Sequence, residues 1–158
     1  MDIEALLTPL SVLVAVMALV TSSASTARAR VKAIEDAYVE RYWQILDRLP
    51  AEALVGQERI APLSREECQA VRLYLRLCED ELELRQLGWV GRETWKQWRP
   101  GIKSQLGQWP VAGEWTPIRD RRLAPQQFTL LRQLESNADF EPYQAKGLGW
   151  VTRWWRQL

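Results

Sequence analysis

The side chains able to carry chemistry in this chain are few. Four acidic residues crowd one stretch, Glu79, Asp80, Glu81 and Glu83. Paired carboxylates can hold a metal or divide acid–base work, but they need further ligands or a second acid opposite. The chain has no histidine, which removes the commonest general base, the commonest metal ligand and the triads built on it. Two cysteines, Cys68 and Cys78, do not complete a tetrahedral zinc site. Ten residues apart on one helix, they would lie about 15 Å from each other, well beyond the roughly 7 Å a disulfide tolerates. They read as free, small apolar side chains in a reducing compartment. No phosphate-cradling loop, Walker motif or dinucleotide fingerprint occurs. On a helix Glu79 and Glu83 share a face while Asp80 and Glu81 point elsewhere, so the acidic run reads as a solvated face with arginine partners. The expectation is no catalytic residue, no metal and no cofactor.

Basic and aromatic residues offer surfaces instead. Arg119, Arg121 and Arg122, with Asp120 among them, could meet phosphate. Eight of the nine tryptophans follow Leu87, so their work falls in the second half of the chain. Core filling is the plainest use for them. Trp150, Trp154 and Trp155, interleaved with Arg153 and Arg156, also suit a short amphipathic helix on lipid head groups or a partner hot spot. All 21 basic residues and all but two of the 20 acidic ones follow Ala27, leaving that part near +3. Such a balance does not predict a nucleic-acid partner. It suits a slightly basic domain beside anionic lipid.

The element that would position these groups is the segment 5–27, which contains no charged side chain between Glu4 and Arg28. As a helix, about 23 residues at about 1.5 Å each would span roughly 34 Å, against a hydrocarbon core of about 30 Å. Leu6, Leu10, Leu13, Val16 and Leu19 mark its apolar body. A cleaved signal peptide wants a basic leading segment, whereas Asp2 and Glu4 precede this run. A buried core helix would need more apolar surroundings than the Arg-, Glu- and Trp-rich remainder supplies. The reading is a transmembrane anchor over 1–27. Arg28, Arg30 and Lys32 follow it, so the positive-inside rule places the N-terminus outside and residues 28–158 in the cytoplasm, at the inner membrane. The Ser/Thr-rich end, residues 21–26, is tolerable because helical hydroxyls bond back to their own backbone.

Beyond the anchor, periodicity predicts an all-α domain of about four helices. A stalk helix over 28–49 either continues the span or restarts after a flexible joint. A central helix over 64–87 opens on the capping box Ser64–Glu67 and closes at Gly88. A tryptophan helix over 92–106 carries Pro100 and Gly101, which predict a kink or break. Residues 108–125, with Pro110, Gly113, Pro117 and Pro125, read as a Trp/Pro-rich loop. Helices over 125–137 and 149–158 complete the chain.

Around residues 77–102, LCEDELELRQLGWVGRETWKQWRPGI, the chain resembles a loose group of small bacterial single-pass membrane proteins of unknown function. In that group a Cys- and Glu-containing helix runs through a glycine turn into a Trp-x-x-Trp helix. The resemblance implies a cytoplasmic helical domain behind one span, and no active site. The leading expectation is a non-enzymatic, membrane-tethered interaction module that holds a protein partner or a second copy of itself. A membrane effector or sensor in stress or phage defence, acting through an oligomerising span, is the alternative; an enzyme on lipid-linked substrate comes third.

Overall fold

The computed structural model describes residues 3–137 and 139–144, with side chains from residue 13 onward. These residues form six α-helices and, among them, no strand: α1 Ile3–Leu46, α2 Ala51–Leu54, α3 Arg65–Gln86, α4 Arg92–Leu106, α5 Val111–Arg119 and α6 Thr129–Ser136. The protein is all-α.

Helix α1 runs for 44 residues without a joint. Neither glycine nor proline falls between Pro9 and Pro50 to interrupt it. The hydroxyls of Thr21, Ser23 and Thr26 donate to the carbonyls of Met17, Leu19 and Ser22 at 2.8–3.0 Å, so the polar stretch is held inside the helix. Its two halves differ in surroundings. Val31 and Ile45 are buried, and Tyr38 and Tyr42 lie against the core, as does Leu49 just past the helix. Leu13, Val14, Val16, Met17 and Leu19 are exposed, Leu19 by 70%. Among the described residues no helix is long and apolar enough to cross a membrane. The apolar run with described side chains, residues 13–20, gives way to Ser and Thr and then to Arg28 and Arg30.

Helix α3 is the centre of the domain, packed by α1, α5 and α6. Its start is fixed by Ser64, whose hydroxyl accepts from the Glu67 N–H at 3.2 Å while the Glu67 carboxylate accepts from the Ser64 N–H at 2.7 Å. Gly88 ends the following turn at φ +74°, a left-handed conformation that glycine adopts without a Cβ clash. Val71, Leu75, Leu77 and Leu82 are buried from α3; Trp95, Ile102 and Leu106 come from α4, Trp115 from α5, and Leu131 and Leu134 from α6. Leu73 on α3 and Leu87 just past it are exposed.

Two expectations about breakers are corrected. Helix α4 continues through Pro100 and Gly101. Buried Trp95, Ile102 and Leu106 anchor it on both sides, while Pro100 faces solvent, where water can take the carbonyl that its missing N–H leaves free. The stretch expected to be a loop contains α5, with Pro117 inside it. Val111, Trp115 and Ile118, spaced four and three apart, are all buried, and that burial outweighs the proline.

Candidate functional site

The stripe of α3 that faces inward is not purely apolar. Tyr74, Cys78, Glu81 and Arg85 recur at spacings of four, three and four, and all are buried, as is neighbouring Glu79. The acidic run is thus not a solvated face. Asp80 pairs with Arg76 at 2.9 Å, but Arg72 reaches across to Glu114 on α5 at 2.7 Å.

Each buried charge is assigned by what it meets. Glu79 accepts from the Leu130 and Leu131 N–H groups at 3.0 and 2.9 Å. Phe128, the N-cap residue of α6, lies in the left-handed region at φ 57° and offers no capping side chain, so a carboxylate from α3 caps α6. Burial raises the Glu79 pKa, and the N–H groups of Leu131 and Leu130 pull it back. Glu79→Ala should cost about 1–2 kcal/mol and speed amide exchange at Leu130 and Leu131, as loss of a cap does; hydrogen exchange with urea unfolding measures both. Glu35 does for α4 what Glu79 does for α6: its carboxylate accepts from the Gly91 N–H at 2.7 Å and ties α1 to the start of α4. Arg85, only 2% exposed, donates to the Val90 carbonyl at 2.9 Å and grips Glu141 through two bonds of 2.8 and 3.1 Å, with the Tyr143 ring 5.4 Å away.

Glu81 is different. It is 7% exposed and accepts no hydrogen bond from a described residue, and its carboxyl oxygens stay open to the space beside them rather than sealed. Burial, with Asp80 beside it, raises its pKa to about 8. It faces a cavity of about 300 Å³ between α1, α3 and α4. Tyr42 and Trp43 wall the α1 side, Tyr74 the α3 side, and Trp98 the α4 side. Tyr42 sits edge-on to Trp43 at 5.5 Å and tilted against Tyr74 at 6.2 Å. Burial pushes up the pKa of Tyr42, and of Tyr74 and Cys78 well above their ordinary values, so all three stay neutral near pH 7. The centre of the α4 wall is Gly101, where an added Cβ would meet nothing within 4 Å.

Comparison of the chain with protein-family models, with curated proteins and with solved structures finds no match.

The residues named from sequence fall in three places. Arg28, Arg30 and Lys32 are exposed on α1, with Lys32 paired to Asp36. Arg119 and Arg122 share Asp120 at 2.9 and 3.0 Å, so the cluster is partly neutralised; Arg121 is exposed at the turn after α5, at φ 58°. Among the described residues no ion pair or hydrogen bond joins this cluster to Arg28, Arg30 and Lys32. Leu13, Val16 and Leu19 are exposed, whereas the side chains of Leu6 and Leu10, and Trp150, Arg153, Trp154 and Trp155 altogether, lie outside the description. Both cysteines are free. Among the described residues no cluster of three metal-ligating side chains forms.

Sequence reading missed the cavity. Its signal was present: Glu81 stands three residues after Cys78 on the same stripe that carries Tyr74. A charged residue in phase with an apolar stripe marks an inward charge.

Proposed function

We propose that the protein is a single-pass membrane protein of the inner membrane, N-terminus outside, whose cytoplasmic helical domain is a non-enzymatic module holding a protein partner or a second copy. The observation that carries this reading is the asymmetry of α1. Its later half packs on the domain through Val31, Tyr38, Tyr42 and Ile45. Its earlier half bares Leu13, Val14, Val16, Met17 and Leu19. Such a run of exposed large apolar side chains is costly in water at about 25 cal/mol per Å², and hydrocarbon removes the cost. The uncharged run 5–27 is long enough to span. Arg28 and Arg30, two and four residues past Thr26, supply the cytoplasmic charge. Rigid continuity of α1 would then transmit any rotation or clustering of the span to the domain.

Alkaline extraction of membranes from expressing cells tests the anchor. The full chain should stay in the pellet, and a variant lacking residues 1–27 should leave it. Recovery of the full chain in the supernatant as a detergent-free monomer overturns the proposal. Crosslinking in intact membranes then separates a partner from a second copy. If a foreign span restores partner capture but abolishes an effect on growth, the effector reading displaces the tether.

A further inference from the structure

We propose that the cavity between α1, α3 and α4 is a binding site for a small organic ammonium ion, a tertiary or quaternary amine, held among Tyr42, Trp43, Tyr74 and Trp98 with its charge against the Glu81 carboxylate. The proposal concerns the folded domain and stands whether or not α1 enters a membrane.

Four observations carry it. The first is the carboxyl itself: Glu81 is buried and unpartnered among the described residues, although it faces open space. Every other buried charge nearby has a structural partner: Glu79 caps α6, Glu35 caps α4 and Arg85 holds Glu141. Among the described residues the sealed polar atoms that lack a partner are Arg59 Nε and the indole nitrogens of Trp95 and Trp115, whereas the Glu81 oxygens open to the cavity, where a ligand can reach them. The second is the wall. Four aromatic rings around one acid form the surroundings that attract an alkylated cation, each ring contributing about 0.5–2 kcal/mol through its π face. The third is charge: among the described residues no Lys or Arg lines the cavity, and the polar side chains that α4 brings beside Trp98 are the neutral Gln97 and Gln105. No described lining residue neutralises an ionised Glu81, and an anion beside that carboxylate would be repelled. A metal ion would want several oxygen ligands, and here there is one acid among rings. The fourth is Gly101. A mid-helix glycine costs about 1 kcal/mol relative to alanine, and this one leaves the middle of the α4 wall without a side chain. The volume of about 300 Å³ is at the lower end for small-molecule sites.

Binding should be linked to pH. The titratable groups that face Glu81 are Tyr38 and Tyr42 from α1 and Tyr74, Cys78 and Asp80 from α3, and α4 contributes none to the lining. The pKa values of Tyr38, Tyr42, Tyr74 and Cys78 are all raised, which keeps these groups uncharged, and Asp80 is held in its pair with Arg76. Glu81, with a pKa of about 8, is the group that changes charge between pH 6 and 9. A cation therefore displaces its proton, and affinity rises with pH up to about that value.

The test uses the full chain in nonionic micelles, titrated calorimetrically with choline, whose quaternary nitrogen does not titrate. Binding is expected at pH 8.5 and should weaken by about 50-fold or more at pH 6, following the ionised fraction of Glu81. The neutral carbon analogue 3,3-dimethyl-1-butanol should bind at least about tenfold more weakly, because it keeps the shape and loses the charge. Glu81→Gln should abolish both the preference for the cation and the pH dependence. Gly101→Leu should block binding with Glu81 still in place, its circular dichroism unchanged. In nanodiscs, a choline midpoint shifted by phosphatidylcholine assigns the ammonium to a lipid head group, and an unshifted one to a free solute. Equal binding of the neutral analogue, unchanged choline binding by Glu81→Gln, or no binding at 10 mM choline (a concentration on the order of ten times a weak 1 mM site) overturns the proposal.

Discussion

Replacing Glu81 by glutamine should stabilise the domain by about 1–3 kcal/mol at pH 7 and flatten its stability against pH. The folded protein keeps Glu81 protonated up to about pH 8, whereas its ordinary value is 4.5. Between those two values the unfolded chain gives up a proton that the folded chain retains. Stability therefore falls as pH rises through that window, by at most about 1.4 kcal/mol per unit. It is fully present below the lower value and levels off above the upper one. Glutamine resembles the neutral acid in shape and cannot ionise, so the variant avoids the loss. Glu79, also raised, adds a slope of the same sign in both proteins, while Glu67, lowered by Arg59 and Ser64, contributes in the opposite sense at acid pH. The difference between the two proteins isolates Glu81. Urea unfolding from pH 5 to 9, followed by tryptophan fluorescence in nonionic micelles, reads it directly. Parallel profiles for the two would mean that Glu81 is ionised and solvated in the folded state, and the cavity would lose its defining acid.

What could be read from sequence divides by the distance over which each signal acts. The Ser64–Glu67 box closes within three residues, and the hydroxyl-to-backbone bonds of Thr21, Ser23 and Thr26 within four, so local spacing reveals both. The all-helical class follows from periodicity in the same way. The buried charges obey no such local rule. Glu79 meets backbone 51 and 52 residues away, and Glu35 and Arg85 find partners 56 residues away. Local ion-pair spacing instead suggested that Glu79 and Glu83 lie on a wet face. Helix α5 was hidden for a different reason. Pro110, Gly113 and Pro117 give strong local breaking signals, and only the tertiary burial of Val111, Trp115 and Ile118 outweighs them. The cavity needed both kinds of knowledge at once: that Glu81 points inward, and that α4 continues through Gly101 to face it.

Arg85→Ala should cost about 2–4 kcal/mol, one of the largest single losses available in the domain. The ion pair is not the main reason. Glu141 keeps 42% of its side chain exposed, so water screens the pair and discounts its worth. The greater loss is at Val90, which is fully buried and whose carbonyl accepts from Arg85. Alanine would leave that oxygen without its donor and open a void where a guanidinium had packed near the Tyr143 ring. Glu141→Gln removes the charge while Val90 keeps its bond, and should cost less than about 1 kcal/mol. Arg85→Lys cannot make the forked contact and reach Val90 together, so it should fall between the two. The consequence reaches the cavity. Val90 and Gly91 form the turn that launches α4, held from one side by Arg85 and from the other by Glu35. Freeing that turn lets α4 shift relative to α1 and α3, and Trp98 and Gly101 move with it. Choline affinity should therefore fall in Arg85→Ala under conditions where the domain remains folded by circular dichroism, and survive in Glu141→Gln. If Arg85→Ala and Glu141→Gln destabilise equally, the ion pair and not the Val90 carbonyl holds the turn.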